Sequence, residues 1–318
     1  MSKRKQSTAN NDDGDDDEPS TIDVDFDFFD PNPQTDYHAL LRLLRQLFLP
    51  NHDSPADPEI DLHGLAELVL AQPLVGTTIK TDGRESDPLA VLTVLNLSVH
   101  QENPSIKSLI AYILNKSSTN KPLHTILQSL LPTPNNPNPN SAHVGFVFSE
   151  RLINMPVQVV PPMYRMLADE IKWALDDNEP YTFSHLIFIS RTYRLSPEEE
   201  EEEEQLSQPP PPSHPAKRQK ASNTQSSARG LGVAADGIYP FHPEDEYIQK
   251  LASHTHDYPL HPTHQNTNAP PREKDAFGLD TRGRMMLLPA ERFLEVVSGL
   301  SEVYGVDVAG GGGVGVNT

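Results

Sequence analysis

Asp23, Asp25 and Asp27 stand at alternate positions, with Ile22, Val24, Phe26 and Phe28 between and beside them. Period-two spacing puts the carboxylates on one face of a strand and the apolar side chains on the other. Three oxygen donors in a row could hold Mg²⁺ or Ca²⁺, because hard cations take oxygen ligands. The face could equally be a solvated surface. The acidic chain leading into it favours a third reading, a surface that meets a basic partner. His254, His256, His261 and His264 form H-T-H-x4-H-x2-H, a spacing open to Zn²⁺. Pro259 and Pro262 lie among them and mark an inserted loop, so a metal is not expected there. His185 sits in an apolar strand and reads as a hydrogen-bonded core residue. Ser149-Glu150-Arg151 follows a predicted strand, where catalytic groups often lie. No His-plus-acid arrangement is evident nearby, so an Arg–Glu structural pair is the expectation.

Known catalytic signatures are missing. The chain has no G-x-x-x-x-G-K-[ST], no G-x-S-x-G, no H-E-x-x-H and no strand-borne G-x-G-x-x-G. The glycines at 310–313 precede no helix, so they offer no helix N–H groups to a phosphate. RGLG at 229–232 lies in low-complexity sequence. Without cysteine, disulfides, thiolate metal sites and thiol nucleophiles are excluded. No catalytic, cofactor-binding or metal-binding residue is therefore expected, and the chain reads as non-enzymatic.

Charge is the informative property. The formal net charge of −20 is uneven. Residues 1–36 carry three cations against eleven acids, a net of −8, and the run at 198–204 adds −7. The candidate acidic client-binding segments are Asp12, Asp13, Asp15, Asp16, Asp17 and Glu18, the strand face Asp23, Asp25 and Asp27, and the run Glu198, Glu199, Glu200, Glu201, Glu202, Glu203 and Glu204. Such blocks stay extended, repel nucleic acid and attract Lys/Arg-rich surfaces. Two short basic clusters, Lys3-Arg4-Lys5 and Lys217-Arg218 with Lys220, are candidate nuclear-import signals. No run approaches the roughly 20 apolar residues of a membrane helix, and the N-terminus lacks an apolar signal core. The expectation is a soluble nuclear protein without direct nucleic-acid binding or membrane insertion.

The elements that must position these residues alternate between strand and helix. A strand from Ile22 to Phe28, one side solvated, belongs at a sheet edge or an uncovered face. Thr35 or Asp36 can cap a helix with Tyr37, Leu40, Leu41, Leu44, Leu47 and Phe48 on one stripe. A second helix follows at Leu62–Val69, then a strand at Leu74–Ile79. The apolar run at 89–97 suits a strand covered on both faces. Helices are expected at 105–116 and 121–130, a loop at 132–141 and a strand at 142–148. Pro161 and Pro162 open a helix that buries Met163, Met166, Leu167, Ile171, Ala174 and Leu175. A strand follows at 181–189, a short helix near 244–252 and a His/Pro loop at 253–275. A strand at 284–288 and a helix after Pro289 finish the order. The poly-Glu, poly-Pro stretch at 196–236 reads as a disordered insertion, 1–20 as a disordered tail and 310–318 as a flexible one. The result is a single α/β domain at 21–309, mixed α+β in content.

Several ordered blocks resemble the BCCIP/BCP family of nuclear proteins. They are VDFDFFD at 24–30, TDYHALLRLLRQLF at 35–48, VLTVLNL at 91–97, GFVFSERLINMPVQVVPPMYRMLADEI at 145–171, YTFSHLIFISRTY at 181–193, FHPEDEYIQKLA at 241–252 and MMLLPAERF at 285–293. The resemblance implies a fold like that of the GCN5-related N-acetyltransferases (GNAT), without acetyl transfer. The [RQ]-x-x-G-x-[GA] turn that cradles coenzyme A is not matched; RGLG has the wrong spacing and context. It also implies nuclear export of client proteins, including a phosphoinositide kinase, through nuclear transport receptors. It further implies chaperoning of a basic large-subunit ribosomal protein in ribosome biogenesis, shuttling between nucleus and cytoplasm, and no cofactor. The alternatives are an acetyltransferase-like acyl-CoA enzyme and a cell-cycle or DNA-repair adaptor.

Overall fold

In the computed structural model the described residues are 24–49, 58–72, 74–133, 143–194, 237–260 and 280–305. The strand expected to be covered on both faces is β3 (Ala90–Asn96), buried at every position. It lies inside a mixed sheet that also holds β1 (Asp27–Phe29), β2 (Thr77–Lys80), β4 (His143–Arg151), β5 (Phe183–Arg194), β6 (Ile238–Pro240), β7 (His254–Pro259) and β8 (Asp280–Pro289). The order is β1-β2-β3-β4-β5-β8-β7, with β6 also paired to β5. Only β4 and β5 run parallel; the other pairs are antiparallel. Their connection runs through α5 (Val160–Asp176), as a parallel pair requires a crossover.

Alternation along the central strands feeds two cores. Val91 and Leu95 of β3, with Val144, Phe146 and Phe148 of β4, face α1 (Tyr37–Phe48), α2 (Leu62–Ala71), α3 (Pro104–Ser117) and α4 (Lys121–Leu130). Ala90, Leu92 and Val94, with Val147, face α5, α6 (Glu244–Leu251) and α7 (Phe293–Tyr304). The molecule is therefore a three-layer α/β domain. Helix starts follow sequence chemistry. Asn103 and Asn120 accept the Ser105 and Leu123 amides, and proline occupies the first turn of α3 and α4. Among the described residues no helix is long and apolar enough to cross a membrane.

Several expectations change. The first strand is the short edge strand β1; Ile22 and Asp23 lie outside the described residues. Asp36 occupies the cap position of α1, but its side chain makes no cap bond and pairs with Lys80 instead. The strand at 142–148 continues through Ser149-Glu150-Arg151, held in register with β3 to Arg151↔Ala90. The loop expected at 253–275 begins as β7, because its backbone pairs with β8. Leu175 is 40% exposed and not part of the buried face of α5; Glu170 is buried there instead. The N-terminal tail, most of the 132–141 loop, the insertion, RGLG and the glycine tail lie outside the described residues.

Candidate functional site

The registered pairing of β4 and β5 ends at Val147↔Phe188. Beyond that point β4 stays with β3, while β5 stays with β8 and β6. Polar side chains occupy the divergence. Glu150 and Arg151 come from β4, Arg191 from β5, and His242 and Glu244 from the entry to α6. Glu150 Oε1 accepts from His242 Nε2 at 2.6 Å and from Gln46 Nε2 at 2.9 Å. Arg191 donates to both Glu150 oxygens at 3.4 Å and lies over the Phe241 ring. Arg151 Nη2 donates to Glu244 Oε2 at 2.7 Å.

Burial pushes the Glu150 carboxyl upward, but His242 and Arg191 outweigh it and hold the group below its ordinary value. Burial pulls His242 down, and the bond and charge of Glu150 outweigh that, leaving the imidazole raised. Both shifts favour the charged form of their group. Asp245, one residue beyond Glu244, is raised to about 7 by burial first and by Glu244 second. His242 and Glu150 are an acid and a base in contact, which is the chemistry that proton transfer needs. Their side chains are only 5% and 1% exposed, so neither can reach a proton on a molecule in solution in this conformation. What the arrangement does is tie the parted ends of β4 and β5 to α6.

Spacing along the chain could not reveal this pair, because Glu150 and His242 are 92 residues apart. The expected Arg–Glu pairing is real in kind but different in partners: Glu150 takes Arg191, and Arg151 takes Glu244. One signal was present, a Ser-Glu-Arg triplet continuing an otherwise apolar strand.

Of the predicted acidic face, Asp25 and Asp27 are exposed at the sheet edge, while Phe26 and Phe28 pack on the second core. The structure does not join them to the other predicted acids, because Asp12 to Glu18, Asp23 and Glu198 to Glu204 lie outside the described residues. So do Lys3, Arg4, Lys5, Lys217, Arg218 and Lys220. His185 is half-buried and bonds Ser184, with its pKa lowered by burial. The four-histidine spacing divides. His254 and His256 sit on β7, where His256 Nε2 lies 3.2 Å from Thr119 Oγ1; His261 and His264 fall outside the described residues. Among the described residues no group of three or more His, Asp or Glu could hold a metal ion.

The BCCIP family model matches residues 21–248. Protein bcp1 of Schizosaccharomyces pombe is 40% identical over 285 residues, covering 89% of this chain and 90% of that protein. Protein bcp1 of Aspergillus fumigatus is 39% identical over 297 residues, covering 92% and 90%. The crystal structure of BCP1 from Saccharomyces cerevisiae aligns with a TM-score of 0.55 at 25% identity, over 92% of this chain and 93% of that one. An agmatine N-acetyltransferase mutant aligns with a TM-score of only 0.33 at 11% identity, below the level at which a shared fold is argued. With its family model, its relatives and a solved fold in agreement over most of its length, the chain belongs to the BCCIP family.

Proposed function

We propose that this protein is a non-enzymatic nuclear carrier and chaperone of a basic client, with a large-subunit ribosomal protein as the first candidate. Its place would be in client export and ribosome biogenesis, shuttling between nucleus and cytoplasm. The observation that carries the proposal is the concentrated negative charge: −8 in residues 1–36 and −7 in residues 198–204, out of −20. A client rich in Lys and Arg would be covered by these carboxylates, apart from Asp36, which is enclosed with Lys80, and kept from binding RNA prematurely.

The test is a solubility assay with a purified basic large-subunit ribosomal protein, followed by light scattering in the presence of RNA. Scattering should fall as this protein is added, and the protection should weaken as salt rises. Equal scattering with and without the protein would leave an adaptor without chaperone action. Replacing the two basic clusters with glutamine should also shift a fluorescent fusion toward the cytoplasm.

A further inference from the structure

The last two turns of α5 bring together an exposed aromatic ring and an unusual distribution of charge. Trp173, the chain's single tryptophan, is 63% exposed. Asp169 and Asp177 lie four residues before and after it, and Asp176 lies three after, so all three flank its stripe of the helix. All three are exposed. Lys172 lies three residues after Asp169 and four before Asp176, and Arg165 lies four before Asp169, so both cations border one side of this stripe. Among the described residues no ion pair joins either cation to these aspartates.

The surroundings continue the pattern. Glu170, on the inner side of the same turn, accepts from the Gly76 amide at 2.8 Å and from Thr77 Oγ1 at 2.9 Å. Those bonds bring the start of β2 against α5, and Gly76 in turn lies beside Pro31. Asp30, exposed where β1 ends, thereby stands at the same corner. Leu74, two residues before Gly76, is 56% exposed.

Folding does not explain this arrangement. Carboxylates at a helix C-terminus oppose the negative end of the dipole, and the last turn of α5 holds no base. A large exposed indole likewise adds little to stability while remaining in water. Both features become favourable when a cation covers them. A guanidinium or ammonium over the indole face gains a cation–π contact, and the surrounding aspartates supply its counter-charge.

We propose that this corner of α5 is a docking surface for a Lys/Arg-bearing segment of a partner protein, with Trp173 as its anchor. The proposal rests on the basic-client reading above and gives that client a contact on the folded surface. The probe is a decapeptide of alternating Lys and Arg, added to the full chain. Trp173 emission should change saturably, with the same midpoint as the anisotropy of a fluorescein-labelled copy of the peptide. Trp173→Ala should weaken binding roughly five- to tenfold, as expected for removing an aromatic anchor. Asp169→Asn, Asp176→Asn and Asp177→Asn together should weaken it at least as much. The same charge change made elsewhere, by Glu67→Gln, Asp82→Asn and Glu85→Gln, should cost less than about twofold. Circular-dichroism melts verify that each variant remains folded, and Trp173→Phe should retain part of the affinity. If the peptide binds the Trp173→Ala and triple-aspartate variants as tightly as the unmodified chain, this surface is not the docking site and the client-carrier reading stands. If the unmodified chain does not bind the peptide at any salt concentration, both readings fall.

Discussion

Lys80 Nζ and Asp36 Oδ1 meet at 2.6 Å with both side chains fully enclosed. Lys80 also donates to the Arg84 carbonyl, and Asp36 accepts from the Asn32 amide and the Thr35 hydroxyl. Removing one member strands the other charge away from water. Lys80→Met should therefore cost about 3–5 kcal/mol in denaturant unfolding. The double variant Asp36→Asn/Lys80→Met should recover a large part, and strictly additive losses would show that the pair is not coupled. Asp245 makes a second prediction through its proton. Its carboxyl is raised from 3.8 to about 7, by burial and then by Glu244. The folded state then keeps a proton that the unfolded chain releases. The resulting stability is fully present below pH about 4 and is lost as pH rises through about 7. Raised His242 adds a loss of the same sign above its ordinary 6.5. Asp245→Asn should flatten the dependence of Tm on pH between about 5 and 7.5 and raise Tm at the alkaline end. Calorimetric scans showing the wild-type slope in the variant would locate the titration elsewhere.

Elements depend on these residues and on close approach between neighbours. In α7, Gly299 faces Tyr247 of α6, and a Cβ at position 299 would overlap the tyrosine ring. Gly299→Ala should separate the two helices and cost about 1–3 kcal/mol, despite alanine's better helix propensity. Tyr247→Leu in the same background should restore part of the loss; equilibrium unfolding of the four variants measures it. The same neighbour dependence explains which elements were legible in sequence. Periodicity acts within a few residues, so α1 and α2 follow from their apolar stripes and β3 from the apolar run at 89–97, and the helices expected at 105–116 and 121–130 are α3 and α4. β7 did not, because HTHDYP is polar and ends in proline. It is a strand because β8 pairs with it, Asp257 clamps Arg284 at 2.7 and 3.0 Å, and Tyr258 packs over Gly283. Nor could the Glu150–His242 contact be read: the Ser149-Glu150-Arg151 triplet marks one end of it, but His242 lies 92 residues away and meets Glu150 only in the fold. The acidic character of β1 was readable. The Trp173 corner was not, since α5 was expected to bury Leu175 and only the packed helix shows which side remains outside.

At the scale of the whole molecule, negative charge concentrates in two stretches of sequence, the first running from the N-terminal residues through β1 to the cap of α1 and the second being the run at 198–204. Fifteen of the twenty net negative charges lie in residues 1–36 and 198–204, within 43 of 318 residues. Long-range attraction to a basic client should come mainly from these segments, because Coulombic fields add over like charges while short contacts do not. Salt screens that attraction over about 8–10 Å at physiological ionic strength. The contact at Trp173 is shorter in range and partly apolar, so it should resist salt better. The two contributions predict different salt curves. In a chain lacking residues 1–20 and carrying glutamine at 198–204, client affinity should fall at low salt and approach that of the unmodified protein at high salt. In Trp173→Ala, the loss should be of similar size across the whole range. Anisotropy titrations of a labelled basic client over roughly 50–500 mM salt distinguish these curves. If removing the acidic segments leaves affinity unchanged throughout, they take no part in capture, and the folded surface alone must hold the client.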